Sequence, residues 1–276
     1  MSKADVLFKQ MCRKILDEGF SSEGQIVRPR WEDGTPAHTI KQFGIVNRYD
    51  LQEEFPALTL RPTAIRSAFD EILWIWQKKS NRVEDLNSHI WDEWCGEDGT
   101  IGKAYGYQLG VKYSFGHGEM DQVDNVLWQL KNTPFSRRIL TNIYNFSDLQ
   151  DMNLEPCAYS MTFNVTGNRL NGILNQRSQD TLVANNWNVV QYSLLLMMFA
   201  QVSGLEAGEL VHVIADAHIY DRHIPIVREM LERPEFDAPK VRLNPEIKNF
   251  YDFKVSDLIV EDYKTNPQIK NIPVAI

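Results

Sequence analysis

The run SLLLMMFAQV, residues 193–202, constrains this chain more than any other stretch. It carries no charge, and it is too short to cross a bilayer. A helix this apolar belongs in a core, so the chain must enclose it. The pattern NVVQYSLLLMMFAQVSG extends it from Asn188 and stops it at Gly204, a residue suited to ending a helix. Enclosing a helix takes mass. With 276 residues, 43% of them hydrophobic, the chain has enough for one large domain or two small ones. No repeat, low-complexity tract or long linker divides it, so one domain over residues 1–276 is the simplest reading.

The remaining pattern mixes two periods. MSKADVLFKQMCRKILDEGF at the N-terminus reads as an amphipathic helix rather than a signal peptide. In RPTAIRSAFDEILWIWQKKS (61–80) the apolar positions 65, 68, 69, 72, 73 and 76 follow the helical period. Pro62 suits a first turn there, and Glu71 lies at the edge of the stripe. DQVDNVLWQLKNTP (121–134) is a further helix, with Asn132 and Pro134 as stop signals. SRRILTNIYN alternates as a strand, with Ile139, Thr141 and Ile143 on one face. CAYSMTFNV also alternates, which puts Cys157, Tyr159, Met161, Phe163 and Val165 on one side. TGN (166–168) reads as a hairpin turn, RLNGILNQRS as the return strand and LVHVIADAHIY as one more strand. Helices and strands intersperse without strict βα alternation, which is the mark of an α+β fold.

Charge narrows the partners. The net charge of −8 argues against general affinity for nucleic acid or acidic lipid, which needs a basic surface. Cys12, Cys95 and Cys157 are few and scattered, so neither a disulfide framework nor a cysteine-based metal site is expected. Asp216, His218 and His223 have the composition of a metal cluster, but groups at a strand end more often hydrogen-bond than ligate. A cytoplasmic protein without membrane attachment is expected.

Candidate chemistry starts at LEPCAY (154–159), where a cysteine follows a proline before a strand. Cys157 reads either as a buried, inert thiol or as a nucleophile. The second reading needs cations nearby. The pair Arg137–Arg138 and Arg177 on the return strand are the candidates. Paired arginines are either a solvated strand end or a fork for phosphate, and Arg177 with Ser178 is a second phosphate pair. Glu71, beside ILWIW, is either a helix-edge charge or a partly desolvated carboxyl with a raised pKa. These residues together point to a cysteine-nucleophile enzyme acting on a phosphorylated small molecule.

Nine short strings, EILWIW, IWDEW, AYGYQLG, DQVD, SRRIL, PC, QRSQD, DAHIYDRH and PVAI, follow one another in the order seen in thymidylate synthases. They span nearly the whole chain, which therefore resembles that folate-dependent family, closest to its bacterial or bacteriophage members. The resemblance implies an α+β homodimer built on sheets packed back to back. It implies reductive methylation of dUMP to dTMP, with 5,10-methylenetetrahydrofolate giving both carbon and hydride, and without a metal. It also implies roles. Cys157 would be the nucleophile at carbon 6 of the uracil. Glu71 would organise proton transfers, and Tyr105 would assist removal of the carbon 5 proton. Arg28, Arg177 and Ser178 would hold the phosphate, joined by Arg137 and Arg138 lent by the other subunit. Asn188 would pair with the uracil edge, and His218 and Tyr220 would hold the deoxyribose. Ile90, Trp91, Trp94, Leu154, Asp180, Ala275 and the terminal Ile276 match folate-contacting positions.

The chain departs from the family at marked places. The usual glycine–x–proline–phenylalanine–asparagine loop reads ANNWN (184–188), keeping only Asn188. IAD (214–216) replaces a glycine-rich stretch, Arg61 stands where lysine is common, and Ala158 where many members have histidine. The runner-up within the family is a dUMP hydroxymethylase, in which water replaces hydride. Asn188 favours uracil over cytosine, because an amide both donates and accepts. A catalytically dead nucleotide-binding relative is the reading from another class, and the complete set Cys157, Glu71, Arg177 and Asn188 speaks against it.

Overall fold

The computed structural model covers Met1–Ile276. The chain opens with α1 (Lys3–Glu18), a short β1 (Phe20–Ser21) and a long β2 (Thr39–Asp50). Next come α2 (Ile65–Trp76), α3 (Gly106–Gly110), the hairpin β3 (Tyr113–Phe115) and β4 (Gly118–Met120), and α4 (Gln122–Asn132). The sheet resumes with β5 (Leu140–Asn142), β6 (Ala158–Thr166), β7 (Arg169–Gln176) and β8 (Gln179–Asp180). After it follow α5 (Asn185–Val202), β9 (Glu206–Tyr220), α6 (Ile224–Glu232), β10 (Lys240–Leu243) and β11 (Leu258–Glu261). No helix is long and apolar enough to cross a membrane.

The main sheet has the order β1-β2-β9-β7-β6-β5, with β8 beside β9. It is mixed: β7 and β8 run parallel to β9, while β2–β9, β6–β7 and β5–β6 are antiparallel. Register sorts the side chains by face. The cross-strand row Thr141–Met161–Leu174–His212–Asn47 is buried throughout. The neighbouring row Leu140–Thr162–Ile173–Val211–Arg48 stands on the other face, where Leu140 and Ile173 are exposed.

Helix α5 is enclosed as its composition demands, with Val189–Leu196, Met198, Phe199 and Ala200 all buried. It ends where Gly204 takes φ +69°, a left-handed conformation that glycine adopts without strain. Phe199 is the node of its packing. It stacks on Phe250 at 4.6 Å between ring centroids and meets Phe163 of β6 and Trp76 of α2 edge-on. Trp76 also meets Tyr192 of α5, so helix α2 is clamped between α5 and the sheet.

Three sequence expectations change. Helix α2 starts at Ile65, so Pro62 lies in the preceding loop rather than in its first turn. Glu71 is not at a stripe edge: α2 is covered on all sides from Ala68 to Trp76, and Glu71 is 5% exposed. A bulge at Tyr159, which has no partner on β7, breaks the alternation of β6. An inserted residue reverses the faces on one side of it. Ala158 is buried in line with Met161, and Cys157 leaves the core face and is half-buried.

The node makes a stability prediction. Phe199→Ala leaves a large void among rings that cannot close it, and should cost about 3–5 kcal/mol in urea unfolding. A loss below about 1 kcal/mol would mean that α5 is not held there.

Candidate active site

Cys157 stands just before β6, opposite the end of β7. Arg177 donates its backbone N–H to the Cys157 carbonyl at 2.9 Å. Its guanidinium turns back on the same turn, donating Nε–H to Pro156 O (3.0 Å) and Nη2–H to Glu155 O (2.8 Å). Those bonds hold a fixed cation beside the cysteine. Burial pushes the Cys157 thiol up, while Arg177 and Arg28 pull it down. Burial is the larger effect, so the thiol stays protonated until a base or a bound substrate helps it.

Tyr105 approaches from the start of α3. Its hydroxyl oxygen accepts the Cys157 backbone N–H at 3.2 Å. The residue sits at φ +46°, a positive φ that costs a bulky side chain energy and is tolerated where the surroundings impose it. Burial pushes its phenol well above the ordinary value, and the Cys157 charge adds to that.

Glu71 points from α2 into the same region, and both its oxygens are taken. Trp91 donates its indole N–H to Oε1 at 2.8 Å, and Trp187, in the first turn of α5, donates its own to Oε2. Trp91 is wedged by Trp74, Trp94 and Tyr105, with ring centroids 5.0–5.8 Å away. Burial pushes the Glu71 carboxyl up to about 7, against the pull of the indole hydrogen bonds. Such a group can take and release a proton near neutrality.

Asn188 is one turn into α5. Its Oδ1 accepts from Gln176 Nε2 and its Nδ2 donates to Gln191 Oε1, both at 3.2 Å. Gln176 is itself oriented, because its Oε1 accepts from His212 Nε2 at 2.8 Å and from Gln179 at 3.3 Å. His212 is fully buried, and burial holds its pKa down to about 3, so it stays a neutral ring. Gln176 also donates to the Ser178 carbonyl at 3.1 Å. On β9, His218 donates Nδ1–H to Asp216 at 2.9 Å, and Tyr220 packs edge-on against His218, Trp31 and His223. Burial pushes Tyr220 up to about 12.

Asp180 anchors the loop before α5: its Oδ1 accepts the N–H of Leu182 (2.9 Å) and Val183 (3.1 Å), and its Oδ2 has no protein partner. Arg61 donates to Leu182 O at 2.6 Å, so the arginine found in place of lysine pins this loop. Ile90, Trp94 and Leu154 line the outer side, exposed or half-buried. The terminal residue Ile276 exchanges backbone hydrogen bonds with Arg30, and His223 donates to Pro273 O at 2.7 Å, so the tail carrying Ala275 lies against the segment that follows Arg28.

Cys157, Glu71, Tyr105, Arg28, Arg177, Asn188 and Tyr220 thus surround one region. Arg137 and Arg138 do not join it: they are exposed ahead of β5 and make no ion pair in this chain. Asp216, His218 and His223 do not converge on one point, and nowhere do three or more His, Cys, Asp or Glu side chains stand as metal ligands would. Sequence reasoning missed Trp187, Gln176 and His212 as partners of the site. The tryptophan in ANNWN was the available signal for the first. The other two are ordinary strand residues until register pairs them.

A family model described as thymidylate synthase matches residues 7–276. The chain is 46% identical to a thymidylate synthase of Bacillus licheniformis and 45% identical to thymidylate synthase 1 of Bacillus subtilis. Each of these alignments covers 96% of both chains. Its similarity to the thymidylate synthase of Bacillus phage phi3T is 45% identity over the same share. The solved structure of the thermostable thymidylate synthase A from Bacillus subtilis superimposes with a TM-score of 0.94 at 42% identity, covering 99% of each chain.

The raised Glu71 pKa carries a stability signature. An unfolded glutamate titrates near 4.3, so between about pH 4.3 and about 7 the folded chain holds a proton that the unfolded chain has lost. Stability contributed by this group is full below that window and falls as pH rises through it. Glu71→Gln cannot ionise and should gain on the unmodified chain by on the order of 3 kcal/mol between pH 4 and pH 8 in urea unfolding. A stability difference that stays constant with pH would show that Glu71 is ionised at neutrality.

Proposed function

The chain belongs to the thymidylate synthase family, and on that premise we propose how its own residues carry out the methylation of dUMP to dTMP. The observation that carries the assignment is the setting of Cys157. It is a half-buried thiol, with Arg177 held beside it and a carboxyl able to exchange protons near neutrality in the same cleft. Its sulfur adds to carbon 6 of the uracil, which turns carbon 5 into a carbon nucleophile. Glu71 relays protons at the base, and Tyr105 assists the loss of the carbon 5 proton. Asn188, oriented by Gln176, reads the uracil edge. His218 and Tyr220 hold the sugar, and Arg28, Arg177 and Ser178 hold the phosphate.

The family takes its carbon from a reduced folate, and 5,10-methylenetetrahydrofolate would supply carbon and hydride here. The free Asp180 Oδ2 suits the N–H donors of a pterin edge. Ile90, Trp91, Trp94 and Leu154 offer an apolar wall, and Ala275 and Ile276 on the docked tail complete the enclosure. The relatives are named thymidylate synthases, which favours a methyl product over a hydroxymethyl one.

The unit is one catalytic domain, residues 1–276, working as a cytoplasmic homodimer. The exposed sheet face with Leu140, Ile173 and Val46 would pack on its copy, back to back. Arg137 and Arg138, without partners in their own chain, would then complete the phosphate site of the other subunit.

Cys157→Ala should abolish dTMP formation while dUMP still binds by calorimetry, and Arg138→Glu should be nearly inactive. When the two variants are unfolded together and refolded, about half of the dimers pair unlike chains, each with one intact site, and activity should return to about a quarter. Hybrids that form yet stay inactive would place the arginines in their own chain's site or in none.

A further inference from the structure

Two neighbouring positions where the loop before Asn188 departs from its family, Asn186 and Trp187, fix the start of α5 and bind the carboxyl in the cleft, respectively. Asn186, where proline is usual, is buried and makes three hydrogen bonds to the segment between α1 and α2. Its Nδ2 donates to Pro56 O at 3.0 Å, and its Oδ1 accepts from Leu58 N at 3.0 Å and from the Thr63 hydroxyl. Those bonds fix the first turn of α5. Trp187, where phenylalanine is usual, is the next residue, and its indole N–H reaches Glu71 Oε2. A phenylalanine ring has no donor, so Glu71 would then lose the largest of the hydrogen bonds that favour its charged form.

We propose that Trp187 is a positioning residue for Glu71: with Trp91 it grips both carboxyl oxygens, so that any proton the group carries points into the cleft. This rests on the reading of Glu71 as the proton-transfer group. An indole N–H donates and never accepts. A proton on Glu71 therefore cannot face either tryptophan and must use a lone pair turned away from both. Rotating the carboxyl would break two hydrogen bonds to a side chain that is only 5% exposed, where losing them is costly. The ionisable groups around it are Asp70 on α2, Tyr105 at α3 and Tyr192 on α5. None is a cation, so the charged form is favoured by hydrogen-bond donors alone, first the indoles of Trp187 and Trp91 and then the Gln191 amide.

Trp187→Phe keeps the ring and removes the donor. The protonated carboxyl band in infrared difference spectra, assigned by its loss in Glu71→Gln, should titrate about one to two pH units higher in this variant. The pH profile of dTMP formation should move the same way. Trp187→Met, which also lacks the donor, serves if Trp187→Phe is insoluble. A band and a profile that stay in place would overturn the proposal while leaving Glu71's role intact, provided Glu71→Gln is inactive. An active Glu71→Gln would overturn both.

Discussion

Everything in this fold is arranged around keeping one apolar helix dry. Phe199 gathers Phe163, Trp76 and Phe250 around α5, and that packing presses α2 against α5 and both against the sheet. Two consequences reach the chemistry. The middle of α2 is buried, so Glu71 is poorly solvated. The first turn of α5 emerges beside it, which brings Trp187 and Asn188 to the carboxyl and to the end of β7. Burial in the core is thus the source of the cleft's unusual acid–base character, and the hydrophobic effect and the reactivity share one cause.

Burial favours the neutral form of several groups in the cleft. Burial pushes up the carboxyl of Glu71, the thiol of Cys157 and the phenols of Tyr105 and Tyr220, and keeps His212 uncharged. Opposing this, Arg177 and Arg28 favour a thiolate and the two indoles favour a carboxylate. A dianionic nucleotide seated on those arginines would draw on their charge, which links binding to the state of the thiol.

Sequence periodicity was sufficient wherever packing is one-sided or complete. Helices α1, α2 and α4 follow from their apolar spacing, α5 from its unbroken apolar run, and the β6–β7 hairpin from its glycine turn. β2 was not anticipated. Its core-facing row includes Asn47, which is 6% exposed and hydrogen-bonds the Met11 sulfur, while Val46 on the other face is 53% exposed. An inverted pattern of that kind hides a strand. The bulge at Tyr159 depends on pairing with β7, so no alternation rule reveals it. Motif order located Cys157, Glu71, Tyr105, Arg177 and Asn188, but not what holds them. The indole of Trp187 meets Glu71 across a sequence separation of 116, and only the packing of α2 on α5 makes the two neighbours.

The central claim is that Cys157 bonds to carbon 6 of the base and that the folate-derived carbon then joins carbon 5. A fluorine at carbon 5 cannot leave as a proton does, so 5-fluoro-dUMP with 5,10-methylenetetrahydrofolate should halt the reaction after both bonds have formed. Intact-protein mass spectrometry should show one adduct carrying both nucleotide and folate, and peptide mapping should place it on Cys157. An unmodified chain, or an adduct on Cys12 or Cys95, would contradict the account.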